Sequence, residues 1–397
     1  MVACPRTRPA ESARAHVAQL AEHVLGKDEV SGSSPDVGSI HRRWQEVGFT
    51  VNVALPLLSS LLSFVFAVMV GDQWLRRRQP YQLVWTIGLL WYGISAGTEF
   101  LGSAFGWSEP LYRAWYLIGA FGVAAYLGLG TVFLLNRTRF GYFVAFSLFA
   151  GGLFSILAAA ARANEGVPAS DGAVEAVVAF ATAGALALAV ATRFDRRLVA
   201  PLAAGILGVA SVIVTVLVLA APLAGPGFAL DPATGVPVGT AFPSDLRILT
   251  PPFNIAGAFA LVFGAIYSAY IFMPKRRLLR IEGGPPVIGA IGRAAAVVVN
   301  FFASIPGAVR ALRAGTLNSR VPATLLIALG GFVPGVTSGL NRFGITWSFF
   351  LGELIGIVFI FVGFLVSIEV FSDIRLPFTR IVLMRRNEAE PPGAAPA

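Results

Sequence analysis

The sequence predicts an all-α fold: a polytopic transmembrane helical bundle of about nine spans, N-terminus outside and C-terminus inside. Composition points there first. Hydrophobic residues make up 56% of the 397 and charged residues only 13%, against roughly 25% in a soluble domain. Mean hydropathy is +0.74. Several apolar runs exceed the roughly 18 residues that a helix needs to cross a bilayer. Basic residues gather in alternate links, so the +9 net charge marks loops and implies no nucleic-acid partner.

The rare residues exclude whole classes of chemistry. The only cysteine is Cys4, the histidines are His16, His23 and His41, and the only lysine past residue 46 is Lys275. A haem held by His or Cys, a Cys/His zinc site, a Cys or His catalytic centre, a disulfide and a mid-membrane Schiff-base lysine are thereby excluded from the membrane body. No phosphate loop, nucleophile elbow or HExxH pattern is present, and no cofactor or metal is expected.

Residues 1–46 are polar, without apolar periodicity and without a signal-peptide run. The stretch Val17-Ala-Gln-Leu-Ala-Glu-His-Val-Leu-Gly-Lys-Asp-Glu-Val-Ser-Gly-Ser-Ser-Pro35 resembles a spurious translation of the complement of a transfer-RNA gene. The resemblance implies a mis-annotated extension, with the true start near Val51 or Val53; a disordered tail is the other reading.

Apolar runs then place spans at about 51–71, 81–103, 111–135, 140–161, 173–192, 199–221, 252–273, 321–340 and 346–370. The first seven form a bundle over 51–274. A basic cytoplasmic or interfacial segment, 275–320, follows, then a C-terminal transmembrane hairpin, 321–370, and a cytoplasmic tail, 371–397. Past residue 46, twenty basic residues fall on one set of links; only Arg113, Arg162, Arg247 and Arg342 fall on the other. Positive charge stays inside, which sets the orientation. Pro286–Leu312 is apolar but contains Arg293 and Pro306 and is closed by Arg310 and Arg313. An interfacial helix on the cytoplasmic face fits it better than a tenth span. The outer link Ala221–Pro251, rich in Pro and Gly, reads as a solvated loop.

The chain is organised around the hairpin Tyr81–Leu135. On its first helix Tyr81, Trp85, Gly88, Tyr92, Ser95, Glu99 and Gly102 share one face. On its second, Tyr112, Tyr116, Gly119, Val123, Tyr126 and Gly130 do. Antiparallel pairing sets glycines of one seam against aromatics of the other.

Charges inside spans are functional candidates. Glu99, Arg113, Asn254 and Glu353 lie at similar outer depth, where they could line one outward-facing cavity with Tyr92 and Tyr116. The structural alternative is an ion pair between Glu99 and Arg113 that staples the hairpin. Gly93–Gly97, Gly331–Gly335–Gly339 and Gly352–Gly356 are close-packing pairs, and the glycines around Pro334 suggest a kinked or broken helix.

The blocks Leu83-Val-Trp-Thr-Ile-Gly-Leu-Leu-Trp-Tyr-Gly93, Leu111-Tyr-Arg-Ala-Trp-Tyr-Leu-Ile-Gly-Ala120, Leu340-Asn-Arg-Phe-Gly344 and Glu353-Leu-Ile-Gly-Ile-Val-Phe-Ile-Phe-Val-Gly-Phe364 resemble an uncharacterised family of bacterial multipass membrane proteins, over residues 51–370. The resemblance implies a bacterial cytoplasmic membrane and adds no catalytic residue. The expected function is a non-enzymatic sensor or accessory protein that holds a lipid or small apolar ligand, with a protein partner in the membrane for output. The rival is a secondary transporter coupling through Glu99 and Glu353, against which no internal repeat is visible.

Overall fold

Residues 37–281, 286–342, 345–346, 348–367, 373–375, 377–379 and 382–385 are described in the computed structural model. Expectations placed on 1–36 and on most of the tail lie outside them. Among the described residues, nine helices are long and apolar enough to cross a membrane. This is a multi-pass integral membrane protein.

Helix α1, Val37–Arg77, starts earlier than the apolarity of its sequence predicts. The polar residues 37–46 continue the helix of the first span, since adding a turn to an existing helix needs no apolar face. Helix α2 is Pro80–Phe105, opened by a proline whose missing N–H would have no partner there. The third span is α3, Glu109–Leu117, then a π-turn, Ile118–Gly122, then α4, Val123–Leu134. Next come α5, Gly141–Asn164, α6, Asp171–Phe194, and α7, Val199–Ala220. The short α8, Ser244–Arg247, leads into α9, Thr250–Phe272. Helices α10, Pro286–Arg313, α11, Arg320–Arg342, and α12, Phe349–Val366, complete the helical part. Strands β1, Asp373–Arg375, and β2, Val382–Arg385, pair antiparallel beyond it. That hairpin is a small addition to the all-α expectation, and Arg76 and Asp72 of α1 bond the backbone of its turn at Thr379 and Phe378.

By composition alone, Ala294–Arg313 qualifies as a span and α2 does not. Connectivity reverses both. Asn52 Nδ2 donates to Thr234 O at 2.6 Å, so the apolar part of α1 begins at the face carrying the 221–250 link, hereafter the loop face. It ends at Arg76 on the opposite, basic face. Helix α3 begins back at the loop face, where Gly227 lies against Glu109. Helix α2 therefore crosses. Its low apolarity reflects the inward seam: Gln82, Trp85, Gly88, Tyr92, Ser95, Thr98, Glu99 and Gly102 are all buried.

Helix α10 does the opposite. Ala269 and Met273 at the end of α9 share one cluster with Ala308 of α10 and Val321 at the start of α11. The chain leaves and re-enters the bundle at the same face, so the single helix between cannot cross. It is pinned to the extended 274–281 segment. Asn300 Oδ1 accepts from the N–H groups of Leu278 and Leu279 at 2.7 and 2.9 Å, and Ser304 Oγ accepts from Arg276 N at 3.0 Å.

Two buried cores hold the crossings together. One joins Phe66 and Val70 of α1, Trp85, Leu89 and Tyr92 of α2, Leu127, Leu261, and Ile357, Ile360 and Phe364 of α12. The other joins α4, α5, α6, α7 and α9 around Leu129, Val144, Leu188, Val199 and Ala260.

The 221–250 link is packed, contrary to the solvated loop expected of its Pro and Gly content. Phe242 stacks on Tyr116 and Tyr112 with ring centroids 4.3 and 5.4 Å apart, and the Tyr112 hydroxyl donates to Val238 O. Asp231 caps a tight turn, accepting from the N–H groups of Ala233 and Thr234 at 3.0 and 2.9 Å. Burial alone would push its carboxyl up; the Thr234 hydroxyl and these N–H groups outweigh that and hold it below the ordinary range. Four aromatic and aliphatic side chains, Val236, Ala241, Phe242 and Leu246, turn the link into a lid of fixed shape.

Candidate functional site

The α2/α3 hairpin folds about Trp107. Residues symmetric about it meet: a Cβ on Gly119 would stand 2.7 Å from Ser95 Oγ, and Trp115 Nε1 donates to Glu99 Oε1 at 2.8 Å. The π-turn then absorbs one extra residue, and the register slips by one. Beyond it Gly88 meets Leu127 and Gly130 meets Trp85, where a Cβ would stand 2.8 and 2.2 Å from the neighbouring side chain. The glycine-against-aromatic pairing anticipated from the two seams holds at Gly130. It fails at Tyr112 and Tyr116, which turn to the link and stack on Phe242. A single insertion into the i→i+4 ladder rotates one half of the helix relative to the other.

Close glycine contacts then shape the space beside this hairpin. A Cβ on Gly128 would stand 2.2 Å from Gly257 O, and one on Gly331 2.8 Å from Leu261, so α9 is drawn against both α4 and α11. Nearer the loop face, Gly335 and Gly339 of α11 have nothing within 4 Å. Of the kinked or broken helix expected around Pro334, the break is absent: α11 is continuous from Arg320 to Arg342. The divergence leaves a cavity of about 980 Å³ between α2, α4, α9, α11, α12 and the 230–240 link.

Five of the six residues singled out in the sequence line it: Glu99, Tyr92, Tyr116, Asn254 and Glu353. Glu99 is fully buried. Glu353, from α12, lines the same cavity, and its side chain lies within electrostatic reach of that of Glu99. Oε2 of each is buried without a hydrogen-bond partner. The Tyr92 hydroxyl donates to the Glu353 carbonyl at 2.7 Å, which ties α2 to α12 beside the pair.

Arg113 is the sixth, and it is elsewhere. Its guanidinium donates to Glu109 Oε1 at 2.9 and 2.6 Å, to Ala221 O at 2.8 Å and to Val218 O. The anticipated Glu99–Arg113 ion pair does not form. Arg113 stands about 100° off the seam, which aims it at the end of α7. There the last carbonyls lack helical partners and attract a cation. Trp115, about 200° further round, faces Glu99 instead.

Three lining residues escaped the sequence reading. Trp115 was legible in principle, being opposite Glu99 about the centre of the 104–110 turn. Arg162 and Arg247 entered only as charges on the outer links. Arg162 pairs with Glu165 at 2.7 Å; Arg247 lies within electrostatic reach of both and, among the described residues, has no hydrogen-bond acceptor. Another part of the wall is apolar: Phe263 of α9 and Phe332 and Val336 of α11 line the cavity and are exposed, at 43%, 55% and 42%. The space thus joins two carboxyl side chains to exposed apolar ones. Compared with protein-family models, curated proteins and solved structures, the chain finds no match.

Proposed function

We propose that this protein is a non-enzymatic sensor or accessory protein that binds a lipid, or a similar small apolar ligand, in the cavity between α9 and α11. One observation carries the reading: a single cavity is lined both by Glu99 and Glu353 and by the exposed apolar side chains of Phe263, Phe332 and Val336. An acyl chain entering from the bilayer would find an apolar wall, and a head group would reach polar side chains. The chain would sit in a bacterial inner membrane with the loop face outside and the basic face in the cytoplasm, given the twenty-to-four bias of basic residues. Signalling would pass through a partner protein in the membrane.

The test is native mass spectrometry of the protein taken from membranes, combined with photo-crosslinking by a diazirine fatty acid. Retained lipid, with adducts on α9 and α11, is expected. Adducts spread evenly over all lipid-facing helices would defeat the reading. The shared cavity of Glu99 and Glu353 favours a second reading, a secondary transporter coupled through these carboxyls. Uptake by proteoliposomes that collapses in Glu353→Gln would favour it over the first.

A further inference from the structure

We infer that the Glu99–Glu353 pair takes a primary ammonium group, so that the ligand is a cationic or amine-bearing amphiphile; this rests on the cavity being a ligand site. Two carboxyl groups lining one cavity cannot both ionise unless positive charge, a retained proton or a bound cation, offsets them. The protein supplies little. Glu99 accepts from the Trp115 N–H, and among the described residues no guanidinium hydrogen-bonds to either carboxyl. Arg113 is held by Glu109 and the end of α7. Arg162 and Arg247 line the same cavity without entering these interactions.

The remaining acceptors point the same way. Glu99 Oε2 and Glu353 Oε2 are buried and unpartnered, and Asn341 Oδ1, on a third lining helix, is too. With the pair ionised, three unfilled acceptors line one cavity, a setting for a group that only donates. An ammonium has three N–H donors and no acceptor. A phosphate or carboxylate head would face two carboxyls, and a hydroxyl offers one donor for three acceptors. The apolar wall then accommodates the tail. No bond is made or broken: the ligand exchanges water for these carboxyls.

Binding of dodecylamine, dodecanol and dodecyl phosphate to the full chain in a neutral detergent distinguishes the alternatives, followed through quenching of tryptophan emission, since Trp115 contacts the pair. Dodecylamine is expected to bind more tightly than dodecanol by on the order of tenfold or more, as befits a buried charge interaction. In Glu353→Gln the preference should fall severalfold, with dodecanol little changed. Equal affinity for all three would overturn the inference and leave amphiphile binding standing; a preference for dodecyl phosphate would move the head-group site to Arg162 and Arg247. Binding of none would defeat both readings. The wild-type series decides the matter even if Glu353→Gln does not fold.

Discussion

Helix α11 carries glycines on two faces, and the two do opposite work. Toward α12 they are contact points: a Cβ on Gly330 would stand 2.5 Å from Ile360 and 2.6 Å from Gly356 O, and one on Gly356 2.2 Å from Pro334. Gly352 and Gly363 are equally tight against Thr337 and Ala323 O. Toward α9, Gly331 is tight but Gly335 and Gly339 face open space. The four-residue glycine spacing is the same in Gly352–Gly356, packed across the α11/α12 contact, as in Gly331–Gly335–Gly339. What differs is whether the neighbouring helix runs alongside or away, and a four-residue glycine period carries no information about that. Small residues serve both for helix approach and for leaving a hole.

The sharpest break of that comparison is Gly356→Leu. Its side chain would enter Pro334 and the Gly330 carbonyl, neither of which can retreat without parting α11 from α12. Overpacking of this kind typically costs about 1–3 kcal/mol and on occasion more. A large drop in thermal stability in detergent, or failure to recover monodisperse protein, is expected. Unchanged stability would mean that the α11/α12 contact is loose.

Trp115→Phe tests the hairpin side of the cavity. It keeps most of the ring packing and removes the donor to Glu99 Oε1, so a buried carboxyl oxygen is stranded, at roughly 1–3 kcal/mol. Glu99→Gln in the same background should not add to the loss, because both changes act on one bond. Additive effects would place Glu99 outside the Trp115 interaction.

Arg113 comes next. Arg113→Gln removes bonds to the Glu109 carboxylate and to two α7 carbonyls, expected at about 1–2 kcal/mol given the usual worth of charge-assisted bonds. Glu109→Gln, at an exposed carboxylate, should stay under about 1 kcal/mol. Glu99→Gln and Arg113→Gln should be additive, as sites with separate partners are. Strong coupling between them would restore the ion pair that the geometry rules out.

These residues also show what the sequence discloses. Span number and the inward seam of α2 were legible because apolar runs and helical period each reflect the bilayer directly. The common surroundings of Glu99, Asn254 and Glu353 were legible too, from similar depth along their helices. Azimuth was not. Arg113 and Trp115 differ by two positions, and which one meets Glu99 depends on the angle of the hairpin, set in part by the π-turn at Ile118–Gly122. No sequence signal marks that turn. The packed state of the 221–250 link was hidden for another reason: its anchors, Val236, Phe242 and Leu246, are isolated apolar residues with no period.

The smallest expected effect on stability decides the most about function. Gly335 lies inside a helix, lines the cavity, and has nothing within 4 Å of where a Cβ would be. A glycine within a helix is less favourable than alanine by roughly 1 kcal/mol, so Gly335→Leu should leave stability unchanged or raise it by a fraction of that. The new side chain would project into the space between α9 and α11 and remove room for an acyl chain. Lipid retained in native mass spectra should fall severalfold while the melting temperature holds. Gly339→Leu, one turn nearer the loop face, should do the same to a lesser degree if the head group sits at Glu99 and Glu353 and the tail runs toward Phe332. A Gly335→Leu protein that loses stability sharply would mean that this face of α11 closes on α9. The two faces of the helix would then be alike after all.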